Sequence, residues 1–162
     1  MYDPASALTG KKAVFEAHPK NHAVAALTGL ASDAIYDREE LTITVSRENI
    51  IAACKAVQPV YNFLEDVTAV DWYPSEPRFQ ITYHILSHSL KQRVRLIIWL
   101  DGADAAADSI TSVWPSSNFY EREIFDLFGV RFSGHPNLVR IMMPEDWQGY
   151  PLRKDYPVEG YR

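Results

Sequence analysis

The run Phe79-Gln80-Ile81-Thr82-Tyr83-His84-Ile85, followed after the polar stretch His88-Ser89-Leu90-Lys91 by Val94-Arg95-Leu96-Ile97-Ile98-Trp99-Leu100, decides the fold class. In its first half Phe79, Ile81, Tyr83 and Ile85 alternate with Gln80, Thr82 and His84. In its second half Val94, Leu96, Ile98 and Leu100 alternate with Arg93, Arg95, Ile97 and Trp99. Successive side chains of a strand point to opposite faces, so each half presents one apolar face, and the short polar join predicts an antiparallel hairpin.

Working outward, Leu41, Ile43 and Val45 alternate with Thr42, Thr44 and Ser46, which predicts a half-buried strand. Residues 63–72 predict a neighbouring strand, ended by Tyr73-Pro74 and Pro77. Two segments show helical spacing instead. Lys20 to Ala31 places Val24, Leu27 and Leu30 on one side, and Arg47 to Val57 turns Ile50, Ile51, Cys54 and Val57 inward before Pro59 stops it. Gly102 to Ser109, rich in Ala and Asp, is expected to be a surface loop, and Ile110 to Trp114 a last short strand. Strands and helices do not alternate regularly. The expected class is therefore α+β, a mixed or antiparallel sheet with packed helices over residues 1–115, rather than a doubly wound parallel sheet.

Composition bounds the function. With 162 residues, 47% of them hydrophobic and 23% charged, the chain can bury a sizeable core. A net charge of −5 argues against a non-specific nucleic-acid binder, which needs a basic face. The longest apolar run, Leu96 to Leu100, falls far short of the ~20 residues that span a bilayer. Asp3 sits early with no apolar stretch behind it, so no targeting leader is expected. A single cysteine, Cys54, can form no internal disulfide and cannot by itself supply the four ligands of an iron–sulfur cluster, and a reducing compartment is expected. As a small buried apolar residue it needs no reactive role. None of the seven glycines falls into a dinucleotide or phosphate-loop pattern.

Residues 116–162 differ in kind and carry nine of the twenty aromatics. Ser116-Ser117-Asn118 offers a helix N-cap, Glu121 stands three after Asn118 as in a capping box, and Gly129 supplies the stop. Beyond it Pro136, Pro144, Pro151 and Pro157 forbid a long helix or a central strand. Yet Phe132, Leu138, Ile141, Met142, Met143, Trp147, Tyr150, Leu152 and Tyr156 are too many large apolar side chains for a solvated linker. The expected form is an extended Pro-rich tail lying on a surface, either its own domain or another protein.

Chemistry-bearing residues admit two readings. Glu121, Glu123 and Asp126, with His135, are the candidates for a self-contained acid/base enzyme. Carboxylates near a helix start also follow from the helix dipole, and Arg122 with Asp126 forms an expected i,i+4 ion pair. His18 and His22 are separated by Pro19, His84 and His88 belong to a strand end, and His135 has no nearby cysteine or second histidine, so none predicts a metal site. Arg131, Arg140, Arg153 and Lys154 interleave with aromatics but are balanced by Glu145, Asp146, Asp155 and Glu159. Protein–protein contact fits that mixture better than nucleic acid.

The stretch Glu121-Arg122-Glu123-Ile124-Phe125-Asp126-Leu127-Phe128-Gly129-Val130 closely resembles the signature of the 30 kDa subunit of respiratory complex I, known in bacteria as the NuoC family of the NADH–quinone oxidoreductase. The likeness continues through His135-Pro136-Asn137-Leu138, Arg140-Ile141 and Trp147 to Pro157, and more loosely through Val70-Asp71-Trp72-Tyr73, residues 79–86 and Thr111-Ser112-Val113-Trp114-Pro115. The resemblance implies an α+β domain that holds no cofactor, within a complex whose FMN, iron–sulfur clusters and quinone belong to other subunits. It implies a partner, the large hydrogenase-related protein of 49 kDa type in the quinone module, together with other peripheral-arm subunits. It also implies a peripheral position on the cytoplasmic side of a bacterial inner membrane. Carried over residue by residue, the partner-binding segment comprises Glu121, Arg122, Glu123, Asp126, Gly129, Phe132, His135, Pro136, Arg140, Trp147, Gly149, Pro151, Leu152, Arg153, Lys154, Asp155 and Tyr156. The alternative is the equivalent subunit of a related membrane-bound hydrogenase-type complex.

Overall fold

In the computed structural model, which describes residues 7–160, six strands form one mixed sheet. In chain order the elements are β1 (Leu8–Thr9), α1 (Lys11–Ala17), α2 (His22–Leu27), β2 (Ala31–Asp37), β3 (Glu40–Val45), α3 (Ile50–Val57), β4 (Phe63–Asp71), β5 (Phe79–Ser87), β6 (Gln92–Leu100), β7 (Ala106–Asp108), α4 (Ser117–Phe128) and β8 (Arg131–Ser133), with 3-10 turns at Arg47–Asn49 and Gly102–Asp104. The sheet order is β1-β2-β3-β6-β5-β4. All neighbours are antiparallel except β3 and β6, and a separate parallel pair joins β7 to β8.

The expected hairpin is present, with Phe79 opposite Leu100 and Ser87 opposite Gln92. Its apolar positions and those of β3 are buried in one core with Val24 and Leu27 of α2 and Ile50, Cys54 and Val57 of α3. Cys54 is wholly buried, and burial pushes its thiol pKa well up, so it stays protonated. The opposite face of the sheet carries Ile35, Val70, Trp72 and Trp99, all more than a third exposed.

Four expectations are corrected. The helix foreseen over Lys20 to Ala31 shrinks to α2, because Asn21 caps it, its Oδ1 accepting from Ala23 N at 2.9 Å, and the chain enters β2 at Ala31. Strand β2 escaped notice because only Ala31 and Ala34 are buried and a bulge between Ala31 and Asp33 breaks the alternation. Its turn to β3 also carries no glycine signal, although Arg38 and Glu39 adopt φ of 51° and 64°. The loop foreseen at Gly102 to Ser109 contains a 3-10 turn and β7, whose partner β8 lies beyond α4. The strand foreseen at Ile110 to Trp114 is a tight turn, in which Val113 N and Trp114 N both donate to Ile110 O.

Candidate functional site

Helix α4 starts two residues earlier than a capping box at Asn118 would place it, with Ser116 as the N-cap and no side-chain cap. Glu121 is therefore not a capping residue. It is fully buried, and its Oε1 accepts from Ile110 N at 2.8 Å. Burial raises its pKa, an effect only partly offset by Ser109, Ile110 N and Ser117.

Further along the helix, Asp126 is also buried, and it organises the chain beyond α4. Oδ2 accepts from the backbone N–H groups of Ile141, Met142 and Met143 at 2.9, 2.7 and 2.9 Å, while Arg140 Nη1 donates to Oδ1 at 2.5 Å. Burial alone would raise this carboxyl's pKa, but those four donors hold it below the usual range. The i,i+4 pair expected between Arg122 and Asp126 does not form. Arg122 instead donates to the carbonyls of Val139 and Arg140 at 3.1 and 3.2 Å. Arg140 Nη2 reaches the carbonyls of Trp147 and Gly149 at 3.1 and 3.0 Å, which closes the segment into a loop around one guanidinium.

The helix stop has a tertiary reason as well as a local one. Gly129 adopts φ 73° as the C-cap, and a Cβ there would collide with the Tyr150 ring. Leu152 N donates to Leu127 O at 3.1 Å. Arg153 Nε donates to Phe128 O at 2.6 Å, its guanidinium stacked over Tyr150 and Phe79. Next in sequence, Lys154 N donates to Asp71 Oδ2 at 2.9 Å. Arg78 binds Asp71 through two 2.8 Å bonds and Asp155 through bonds of 3.0 and 2.6 Å. Burial opposes ionisation of Asp71, but Arg78, Lys154 N and Tyr73 N together hold its pKa at about 2.

The remaining candidates divide cleanly. Phe132 is buried in β8, and His135 is a loop staple whose Nδ1 accepts from Asn137 N at 3.0 Å, which leaves Nε2–H to donate to Asn118 O at 3.2 Å. Glu123 and Pro136 are exposed and Pro151 is half-buried; Tyr156 donates its hydroxyl to Gln148 O. Gly149, like Gly129, has a positive φ. Exposed on the pinned segment are Met142 (63%), Leu152 (52%), Val139, Ile141 and Trp147 (38%), with Phe119 on α4. The backbone is thus fastened inward while a row of large apolar side chains faces solvent. The tail lies on its own domain, and that domain leaves its apolar side uncovered. Asp71 and Arg78 were not foreseen as site residues. They meet Lys154 and Asp155 across 83 and 77 residues, and no local spacing signals such a contact.

Residues 43–162 match the family model described as respiratory-chain NADH dehydrogenase, 30 Kd subunit. The C subunit of the NADH-quinone oxidoreductase of Citrifermentans bemidjiense is 47% identical over 146 residues, which cover 86% of this chain and 91% of that one. The protein of the same name from Geobacter sulfurreducens is 46% identical over 126 residues, covering 76% and 78%. Among solved structures, a trypsin-resistant fragment of Nqo5 matches with 29% identity and a TM-score of 0.56, over 61% of this chain and 83% of that fragment. A chain of an archaeal membrane-bound sulfane sulfur reductase, a respiratory membrane complex, shares the fold with a TM-score of 0.73 at 23% identity, over 83% and 82%. The chain belongs to the family of the 30 kDa subunit of respiratory NADH dehydrogenase, the NuoC family of bacterial NADH–quinone oxidoreductases.

Proposed function

We propose that this chain is a structural and assembly subunit of the peripheral arm of a proton-translocating NADH–quinone oxidoreductase, with no chemistry of its own. It sits at the cytoplasmic side of a bacterial inner membrane, and the FMN, iron–sulfur clusters and quinone are held by other subunits. Its segment from Val139 to Leu152 docks on the large 49 kDa-type protein of the quinone module and so stabilises that module.

One observation carries the reading: Asp126 and Arg140 fix the backbone of residues 140–143 while Ile141, Met142, Trp147 and Leu152 remain exposed. A surface of this kind loses little conformational freedom on binding, and burying its apolar side chains is favourable. Met and Trp set among arginines also match the composition of interface cores.

The test is association of the full chain with the large quinone-module protein, read by size exclusion and calorimetry. A Met142→Glu/Leu152→Glu variant is expected to lose association while keeping its far-UV spectrum and melting temperature, since both side chains are largely in solvent. No association of the unaltered chain would end the reading.

A further inference from the structure

The tail is fastened at one end of the sheet, and a second surface is built at the other. Asp71, which anchors Lys154, pairs with Phe79 at one end of the β4–β5 ladder, whereas Phe63 pairs with Leu86 at the opposite end. There a groove of about 1290 Å³ opens, walled by the α1–α2 connection, the β2–β3 turn and the β5–β6 turn. Strands β3 and β6 are parallel neighbours, so their first residues lie side by side and bring the two turns together.

Four cations line the groove, Lys20, Arg38, Lys91 and Arg93, against two carboxylates, Glu39 and Glu40. Glu40 is already matched by Arg95 at 3.0 Å, Arg93 by Glu65 at 2.7 Å and Arg38 by Asp37 at 3.8 Å, which leaves Lys20 and Lys91 against Glu39. Lys20 and Lys91 make no ion pair among the described residues. The groove is thus electropositive in a chain whose net charge is −5. Its walls also include the apolar Leu41, Leu86 and Leu90, the last more than a third exposed. A second, independent observation falls on the same place. Among the described residues three non-glycine positions have positive φ, Arg38, Glu39 and Lys91, and all three line this groove. Glycine would make these turns with less strain, so long charged side chains are held at a cost, as happens where a surface is shaped for binding.

We infer that this groove receives an acidic, partly apolar segment of a neighbouring polypeptide, a second docking site at the pole opposite the tail. Its volume exceeds that of ordinary small-molecule pockets, ~300–1,000 Å³. Its cations stand on three separate turns and the start of β6 instead of converging on one point, which suits a chain bearing several carboxylates better than a single phosphate. The wall is concave, whereas a lipid surface needs a flat or convex basic face. The inference rests on the reading that the chain works inside an assembly, and not on which protein meets the tail.

Carbodiimide cross-linking of the intact membrane complex, read by mass spectrometry, tests it. Lys20 or Lys91 is expected to join an Asp or Glu of another polypeptide; cross-links from other lysines of the chain with none from these two would overturn it. In parallel, a synthetic peptide alternating Glu and Leu is titrated into the full chain and into a Lys20→Glu/Lys91→Glu variant. The variant is expected to bind at least about tenfold more weakly. Equal binding overturns the site. Full competition by inorganic phosphate would mark a small-anion site instead, and lysine-dependent binding of phosphatidylglycerol vesicles would mark a lipid surface; either replaces the proposal. Neither lysine belongs to the segment of residues 139–152, and no residue of that segment lines the groove. Loss of tail binding to the large quinone-module protein with the Lys20 or Lys91 cross-links intact would therefore sink the proposed function and leave the groove standing.

Discussion

The buried Asp126 on α4 and the half-buried Arg140 in the following loop are joined at 2.5 Å, and the second oxygen of the same carboxylate collects three successive backbone N–H groups. One side chain therefore fixes the conformation of a proline-interrupted segment that has no helix or strand of its own. Hydrogen bonds to a charged acceptor contribute roughly 1.5–3 kcal/mol each, and leaving Arg140 without its partner adds to the loss.

Asp126→Asn keeps the volume but places an amide N–H₂ against donors. It is expected to lower stability by roughly 2–3 kcal/mol in urea titration. Amide exchange at Ile141, Met142 and Met143 should accelerate more than in β5. Unchanged protection at those three amides would show that the segment is held by other contacts.

Acid should loosen the Lys154–Asp155 end. Asp71 has a folded pKa of about 2 against an ordinary 3.8, so its contribution is complete above about pH 4 and is lost as pH falls through about 2. That shift corresponds to roughly 2 kcal/mol. Asp126, also depressed, acts in the same direction. Stability measured from pH 5 to pH 2 should fall in the unaltered chain, with a shallower slope in Asp71→Asn.

Glu121 should behave in the opposite sense. Its folded pKa is raised by burial, so the stability it confers is present at low pH and diminishes as pH rises through that value. Glu121→Gln, which imitates the protonated acid, is expected to flatten this part of the pH profile and to be near neutral or stabilising at pH 7–8. Glu121→Ala leaves Ile110 N buried without its acceptor and should cost about 1–3 kcal/mol. Equal losses for Gln and Ala would show that the carboxylate charge itself is required.

Gly129→Ala adds a methyl group at φ 73° and drives it into the Tyr150 ring. The left-handed conformation alone costs roughly 1–2 kcal/mol for a residue with a Cβ. Displacement of Tyr150 also disturbs the stacking of Arg140 and Arg153. Thermal melts should show the loss, and Tyr150→Ala in the same background should recover part of it by removing the clash.

Arg153 and Leu152 are adjacent yet should separate in effect. Arg153→Ala removes a 2.6 Å bond to Phe128 O and the packing over Phe79, so the isolated chain itself should lose stability, by roughly 1–3 kcal/mol. Leu152→Ala should leave the melting temperature nearly unchanged and weaken only association. An unchanged monomer for Arg153→Ala would return that residue to a role at the partner surface alone.

What the sequence by itself determined is what local periodicity encodes. Alternation in residues 79–100 specified the hairpin and which side of it is buried, the helical spacing of Ile50, Cys54 and Val57 specified α3, and Gly129 marked the end of α4. Strand β2 was invisible because its small and acidic residues carry no alternation, and β7 because its partner follows α4. Tertiary structure alone decided the fate of the charged residues. Glu121 became a buried acceptor for Ile110, Asp126 turned from Arg122 to Arg140, and Asp71 and Arg78 met Lys154 and Asp155. A buried charge must find donors wherever the packed chain brings them, and sequence separation says nothing about which donors those are.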